Sequence, residues 1–123
     1  MEAAIPEDDL DFIRSFEDSI TIGDYLFVHA GIDPGTPLDA QRTGDLRWIR
    51  EPFLSHPDCF GPVVVHGHTI TDKPQIRHNR IGLDTGAYRS GRLTALGLQG
   101  TARWLIEVQD MGDVISATTR DLE

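Results

Sequence analysis

The chain has 123 residues, 39% of them apolar and 25% charged, and carries a formal net charge of −9. That balance is globular rather than disordered, and the length suits one domain with a modest core. An acidic chain is repelled by nucleic acid and by anionic membrane surfaces, which argues against both as partners, and a single cysteine, Cys59, excludes an internal disulfide.

Pro6 opens a predicted helix that runs to about Glu17. Proline suits a first helical turn, and Glu7, Asp8 and Asp9 complement the positive end of the helix dipole. Leu10, Ile13 and Phe16, with Phe12 alongside, form an apolar stripe at near-helical spacing, expected to be core. Ser19 to Ile22 reads as a short strand, and Gly23-Asp24 as the turn into a second strand, Tyr25 to Val28. From Gly31 to Gln41 proline, glycine and aspartate mark a loop, and Asp45 to Leu54 is expected as a short helix.

The segment His56 to Pro62 is loop again, with Cys59 as a structural thiol. It leads into Val63-Val64-Val65, whose continuous β-branched character predicts a strand buried on both faces. A turn at Asp72-Lys73-Pro74 precedes a strand over Arg80 to Leu83. Three further strands, Leu93 to Leu98, Ala102 to Val108 and Val114 to Thr119, are separated by turn residues and predict an antiparallel meander. No apolar run approaches the roughly 20 residues of a membrane span, and no signal peptide is evident. A soluble cytoplasmic protein is expected.

Chemistry concentrates at two strand ends. Leu26-Phe27-Val28-His29-Ala30-Gly31 and Val63-Val64-Val65-His66-Gly67-His68-Thr69 each end an apolar run in histidine, with a glycine within the next two residues. A buried strand holds the side chain at its tip rigidly, and imidazole is the commonest metal ligand, so two such tips side by side could share one ion. Gly31 and Gly67 would let the backbone approach closely. His66 lies two residues before His68, on the same face if the strand continued, and is either a hydrogen-bonded strand-end residue or an outer partner of the site. His56 and His78 have no comparable setting and read as surface residues.

These blocks, with Asp45-Leu46-Arg47-Trp48-Ile49-Arg50, Arg80-Ile81-Gly82-Leu83-Asp84-Thr85-Gly86-Ala87-Tyr88 and Gly91-Arg92-Leu93-Thr94-Ala95-Leu96, resemble the C-terminal half of a calcineurin-like metallophosphoesterase. The resemblance is to the bacterial serine/threonine protein phosphatase branch and spans about Ile5 to Gly100. It implies an α+β fold: part of a β-sandwich flanked by helices, forming a single partial domain over 1–123 that supplies roughly one sheet. The sheet edge normally covered by the other half would be open to self-association.

The resemblance also implies a hydrolase using two divalent ions, Mn²⁺ first, with Fe or Zn as alternatives. His29 and His68 would serve one ion, and Arg50 would grip substrate phosphate through bidentate guanidinium bonds, with Arg47 as the alternative. Asp84 would act as an acceptor orienting a ligand histidine or a loop amide, and Tyr88 would contact substrate or pack in the core. The family's Gly-Asp-x-His-Gly, Gly-Asp-x-x-Asp-Arg-Gly and Gly-Asn-His-Glu/Asp blocks do not occur in the chain. No general acid can therefore be assigned, metal binding should be weak, and the chain by itself should be inactive or nearly so. The implied substrates are a phosphorylated protein or a small phosphoester. A dinucleoside polyphosphate hydrolase and a noncatalytic interaction domain are the alternatives.

Overall fold

The structure, a computed structural model, describes residues 4–123; the domain expected over 1–123 extends three residues beyond them. Helix α1 spans Glu7–Arg14, with Pro6 as N-cap and Arg14 bonded back to Glu7 at 2.8 Å and Asp11 at 3.0 Å. It stops three residues before the expected Glu17. The Ser15 hydroxyl donates to the Phe12 carbonyl at 2.5 Å, so a side chain takes a carbonyl that another helical turn would have used. The stripe on α1 is not core. No residue of the helix is buried, and Phe12 and Phe16 are 66% and 62% exposed, packed edge to face on each other.

Strands β1 (Ser19–Ile22) and β2 (Tyr25–Val28) form the expected hairpin, turning at Gly23 with φ +57°. After β2, Asp33 accepts from the Thr36 hydroxyl and the Gly35 amide, bonds that lower the pKa of its carboxyl. Gln41 bonds Asp33 from the far side, so the predicted loop is pinned locally; it contains one 3-10 turn, Leu38–Ala40. Helix α2 covers Thr43–Trp48 rather than Asp45–Leu54. Ile49 is already extended, and Pro52 disfavours helical backbone at the residue before it.

β3 (Val63–His66) pairs in parallel with β2 on one side and with β5 (Arg80–Gly82) on the other. The unanticipated β4 (Gln75–Ile76) completes a five-stranded sheet in the order β1-β2-β3-β5-β4. The central position of β3 explains its run of valines, with Val64 and Val65 both buried. Helix α3 (Ala87–Ser90), also unanticipated, leads into the meander of β6 (Arg92–Gln99), β7 (Ala102–Asp110) and β8 (Ile115–Leu122). The fold is thus mixed α+β with two sheets where roughly one was expected. β1 is an edge strand with Ile20 and Ile22 exposed, and among the described residues no helix is long and apolar enough to cross a membrane.

One face of the first sheet is closed by α2 and the segment after it. Leu26, Val28, Ile32, Leu46, Phe53 and Val64 pack there, flanked by Ile49, Leu54 and Phe60. Each such buried side chain contributes roughly 1.5–3 kcal/mol. Gly31 is required by this core and not by the candidate ligands, because a Cβ at that position would fall inside the Phe53 ring. Gly67 meets only ordinary van der Waals distances, 3.6 Å to the His29 carbonyl. Gly31→Ala is therefore expected to destabilise the chain by about 2 kcal/mol through overpacking, measured as a lower urea midpoint at unchanged slope. Gly67→Ala is expected to cost much less.

Candidate metal centre

His29 and His68 meet because β2 and β3 are parallel neighbours. The register pairs Phe27 with Val65, and the Gly67 amide donates to the His29 carbonyl at 2.8 Å, which carries the alignment one step past the strands. The two imidazole centroids are 5.1 Å apart at an interplanar angle of 61°. His68 reaches this position in a left-handed backbone conformation, φ 66°, the only positive φ at a non-glycine among the described residues. Such backbone is sparsely populated outside glycine and persists where the surrounding structure enforces it.

Trp48, at the end of α2, lays its ring edge-on to His68 at 5.6 Å and is itself 70% exposed. Nε2 of His68 is buried and has no hydrogen-bond partner. Burial lowers the pKa of His68, the Arg50 and His29 charges push the same way, and the Trp48 backbone and Asp84 oppose them. The ring thus tends to the neutral form with a free lone pair, the state in which imidazole binds a cation. His29, exposed, stands between two clefts. One, about 430 Å³, is shared with His68, Asp84, Phe27 and Leu93; the other, about 1040 Å³, is an apolar groove along Ile13, Phe16, Ile20 and Trp48.

His66 does not join them. Strand alternation turns its ring to the opposite face from Phe27, edge-on to Phe53 at 4.9 Å. Arg80 donates from Nη1 to its Nε2 at 3.1 Å, so Nδ1 carries the hydrogen and donates to the Gly67 carbonyl at 3.1 Å. Both nitrogens are used, and His66 is a hydrogen-bonded strand-end residue. The same face with His68 was expected only while the strand continued; β3 ends at His66, and the left-handed turn at His68 separates the two.

The arginines separate as well. Arg47 pairs with Asp18 at 2.8 Å, whereas Arg50 is exposed, without an ion pair among the described residues, and close enough to His68 to act on its charge. Asp84 receives the Gly86 amide at 3.0 Å, the loop-amide role. Tyr88 is 82% exposed on α3 and is not core; the Arg89 guanidinium lies over its ring. His56 stacks on Phe60, and His78 bonds the Pro57 carbonyl. Cys59 is exposed, so it is not a buried structural thiol.

The donor set is short. Two imidazoles are brought together, but among the described residues no group of three or more His, Cys, Asp or Glu side chains is placed to hold a metal. Sequence reasoning missed the Trp48 contact with His68 and the burial of Arg80 against His66. Only the tryptophan left a trace, as an aromatic two residues before Arg50.

No family model, curated protein or solved structure matches the chain.

Burial holds the His66 pKa at about 4, with the Arg80 charge adding to the effect against the Gly67 bond. The unfolded chain, with an ordinary imidazole, binds more protons between about pH 4 and 6.5, so stability rises with pH across that window. Lowering pH from 7 to 4 is expected to remove about 3 kcal/mol, read from urea unfolding at stepped pH. His66→Gln should flatten that slope.

Proposed function

We propose that these residues carry part of a phosphoester hydrolase of the calcineurin-like metallophosphoesterase lineage, on its serine/threonine protein phosphatase branch. His29 and His68 are its ligands for one divalent cation. The observation that carries this reading is the pair of imidazoles 5.1 Å apart, one with a buried, unpartnered Nε2. Two imidazoles side by side, one after the end of β2 and one in the turn after β3, is the arrangement that a shared cation requires.

A divalent cation, Mn²⁺ first, would supply Lewis acidity and a low-pKa water when bound. Arg50 offers its planar donors to phosphoryl oxygens, free of the carboxylate that occupies Arg47. Trp48 fixes the His68 ring by edge contact, and Asp84 braces the loop at Gly86. A phosphorylated protein or a small phosphoester is the substrate class, and an exposed free Cys59 suits a reducing cytoplasm. Two protein ligands fall below the roughly three of a catalytic site, so these residues bind metal weakly and do not turn over substrate unaided.

One observation favours a noncatalytic interaction domain as the second reading. The 1040 Å³ groove beside His29 is lined by exposed Ile13, Phe16, Ile20 and Trp48, a larger apolar surface than the site itself.

Titration with diamagnetic Zn²⁺ in the millimolar range is expected to shift the NMR signals of the His29 and His68 rings together, while His56, His66 and His78 shift far less. His29→Ala should weaken binding at least about tenfold, since it removes one of two ligands. Rings that respond separately, or not at all, would remove the metal reading and leave the interaction domain. Hydrolysis of para-nitrophenyl phosphate should stay at background. Robust metal-dependent turnover lost on His29→Ala would overturn the expectation of inactivity while supporting the lineage.

A further inference from the structure

We propose that a second cleft, lined by Arg80, Arg77 and Thr69, binds a phosphate-sized tetrahedral oxyanion, independently of His29 and His68. The cleft is about 510 Å³ and shares no lining residue with the two clefts that meet at His29. Its walls are the Glu51 to Pro57 segment on one side and the Gln75 to Arg80 hairpin on the other.

Arg80 is the unusual residue of this cleft. The residue is only 4% exposed, yet the ion pairs of the described residues leave its guanidinium without a carboxylate within 4.0 Å. Buried guanidinium is ordinarily paired, because removing a cation from water costs more than neutral acceptors return. Its bonds run to the Leu54 carbonyl at 3.1 Å, the His66 ring at 3.1 Å and the Gln75 amide oxygen at 2.9 Å, all neutral. Arginine has five N–H donors, so two remain.

Two further groups in the same cleft lack partners. Thr69 Oγ1 is buried and makes no hydrogen bond, a desolvated hydroxyl with nothing to satisfy it. Arg77 is exposed and makes neither an ion pair nor a side-chain hydrogen bond among the described residues. Of the other polar side chains, Ser55 bonds Glu51, Thr71 bonds the Lys73 carbonyl, Gln75 accepts from Arg80, His78 bonds Pro57, and Asn79 bonds the His56 and Asp58 carbonyls, while the His56 ring stacks on Phe60.

Glu51 is the one carboxylate lining the cleft, and it is held by the Ser55 amide and hydroxyl. Two arginines against one glutamate give the cleft a positive balance in a chain whose net charge is −9. Guanidinium donors from two arginines, with a hydroxyl beside them, match the several oxygens of a phosphate or phosphomonoester better than the two of a carboxylate.

The test uses the whole chain in EDTA, titrated separately with inorganic phosphate and with O-phosphoserine and followed by backbone amide NMR. Saturable shifts are expected at Thr69, Arg77 and Arg80. Arg80 substitutions endanger the fold through His66, so Arg77→Gln and Thr69→Val carry the test; each is expected to weaken binding about fivefold or more, as loss of a charge-assisted or buried bond should. Arg103→Gln, on β7 and outside the three clefts, should leave this affinity unchanged. Tighter binding of O-phosphoserine supports an esterified phosphate as the occupant, and equal or weaker binding supports the free ion. Shifts confined to residues around Arg50 and His68, or affinity unchanged in both Arg77→Gln and Thr69→Val, would overturn the proposal.

Discussion

The parallel pairing of β2 with β3 is the constraint on which the rest depends. Parallel strands cannot be joined by a tight turn, so the chain leaves β2, forms α2, and returns over the sheet to enter β3 in the same direction. That path has two consequences. It closes a core of Leu26, Val28, Leu46, Phe53 and Val64 on one face, and it brings the C-terminal ends of both strands side by side. The Gly67 amide on the His29 carbonyl extends the ladder beyond the last paired residues and sets where both imidazoles begin. A shift of one residue in this register would send every strand side chain to the other face.

Strand alternation then divides the histidines by task. His29 stays on the face of Phe27, open to solvent. His66, on the other face, is drawn into the packing around Phe53 and held by Arg80. The left-handed turn at His68 returns the chain to His29, so the histidine nearest in sequence to His68 takes no part in the pair. Arg80 is coupled to the same packing: it orients His66 and also brings to the cleft behind a charge with no ion pair among the described residues.

The distribution of apolar surface is uneven. The face of the first sheet under α2 is closed, while α1, β1 and Trp48 leave Phe12, Ile13, Phe16, Ile20 and Ile22 in water around a groove that ends at His29. The groove adjoins His29, so anything that covered it would also shape the surroundings of the pair.

Local chemistry determined a good deal without the fold. The β1–β2 hairpin, the β3 valines, the meander from β6 to β8 and the acidic start of α1 follow from turn residues, β-branched runs and dipole complementarity, which act over a few residues. That His29 and His68 lie together was expected from the family resemblance, whereas the two runs with the same ending point to His29 and His66, which the fold places apart. Burial was not legible, because it depends on what lies opposite. The α1 stripe has helical spacing whether or not anything packs on it, and β4 and α3 are too short to leave a periodic signal. That Asp18 takes Arg47 and leaves Arg50, that Gly31 serves Phe53, and that Arg80 is buried without a carboxylate were settled by tertiary contacts between residues distant in the chain, which no local pattern encodes.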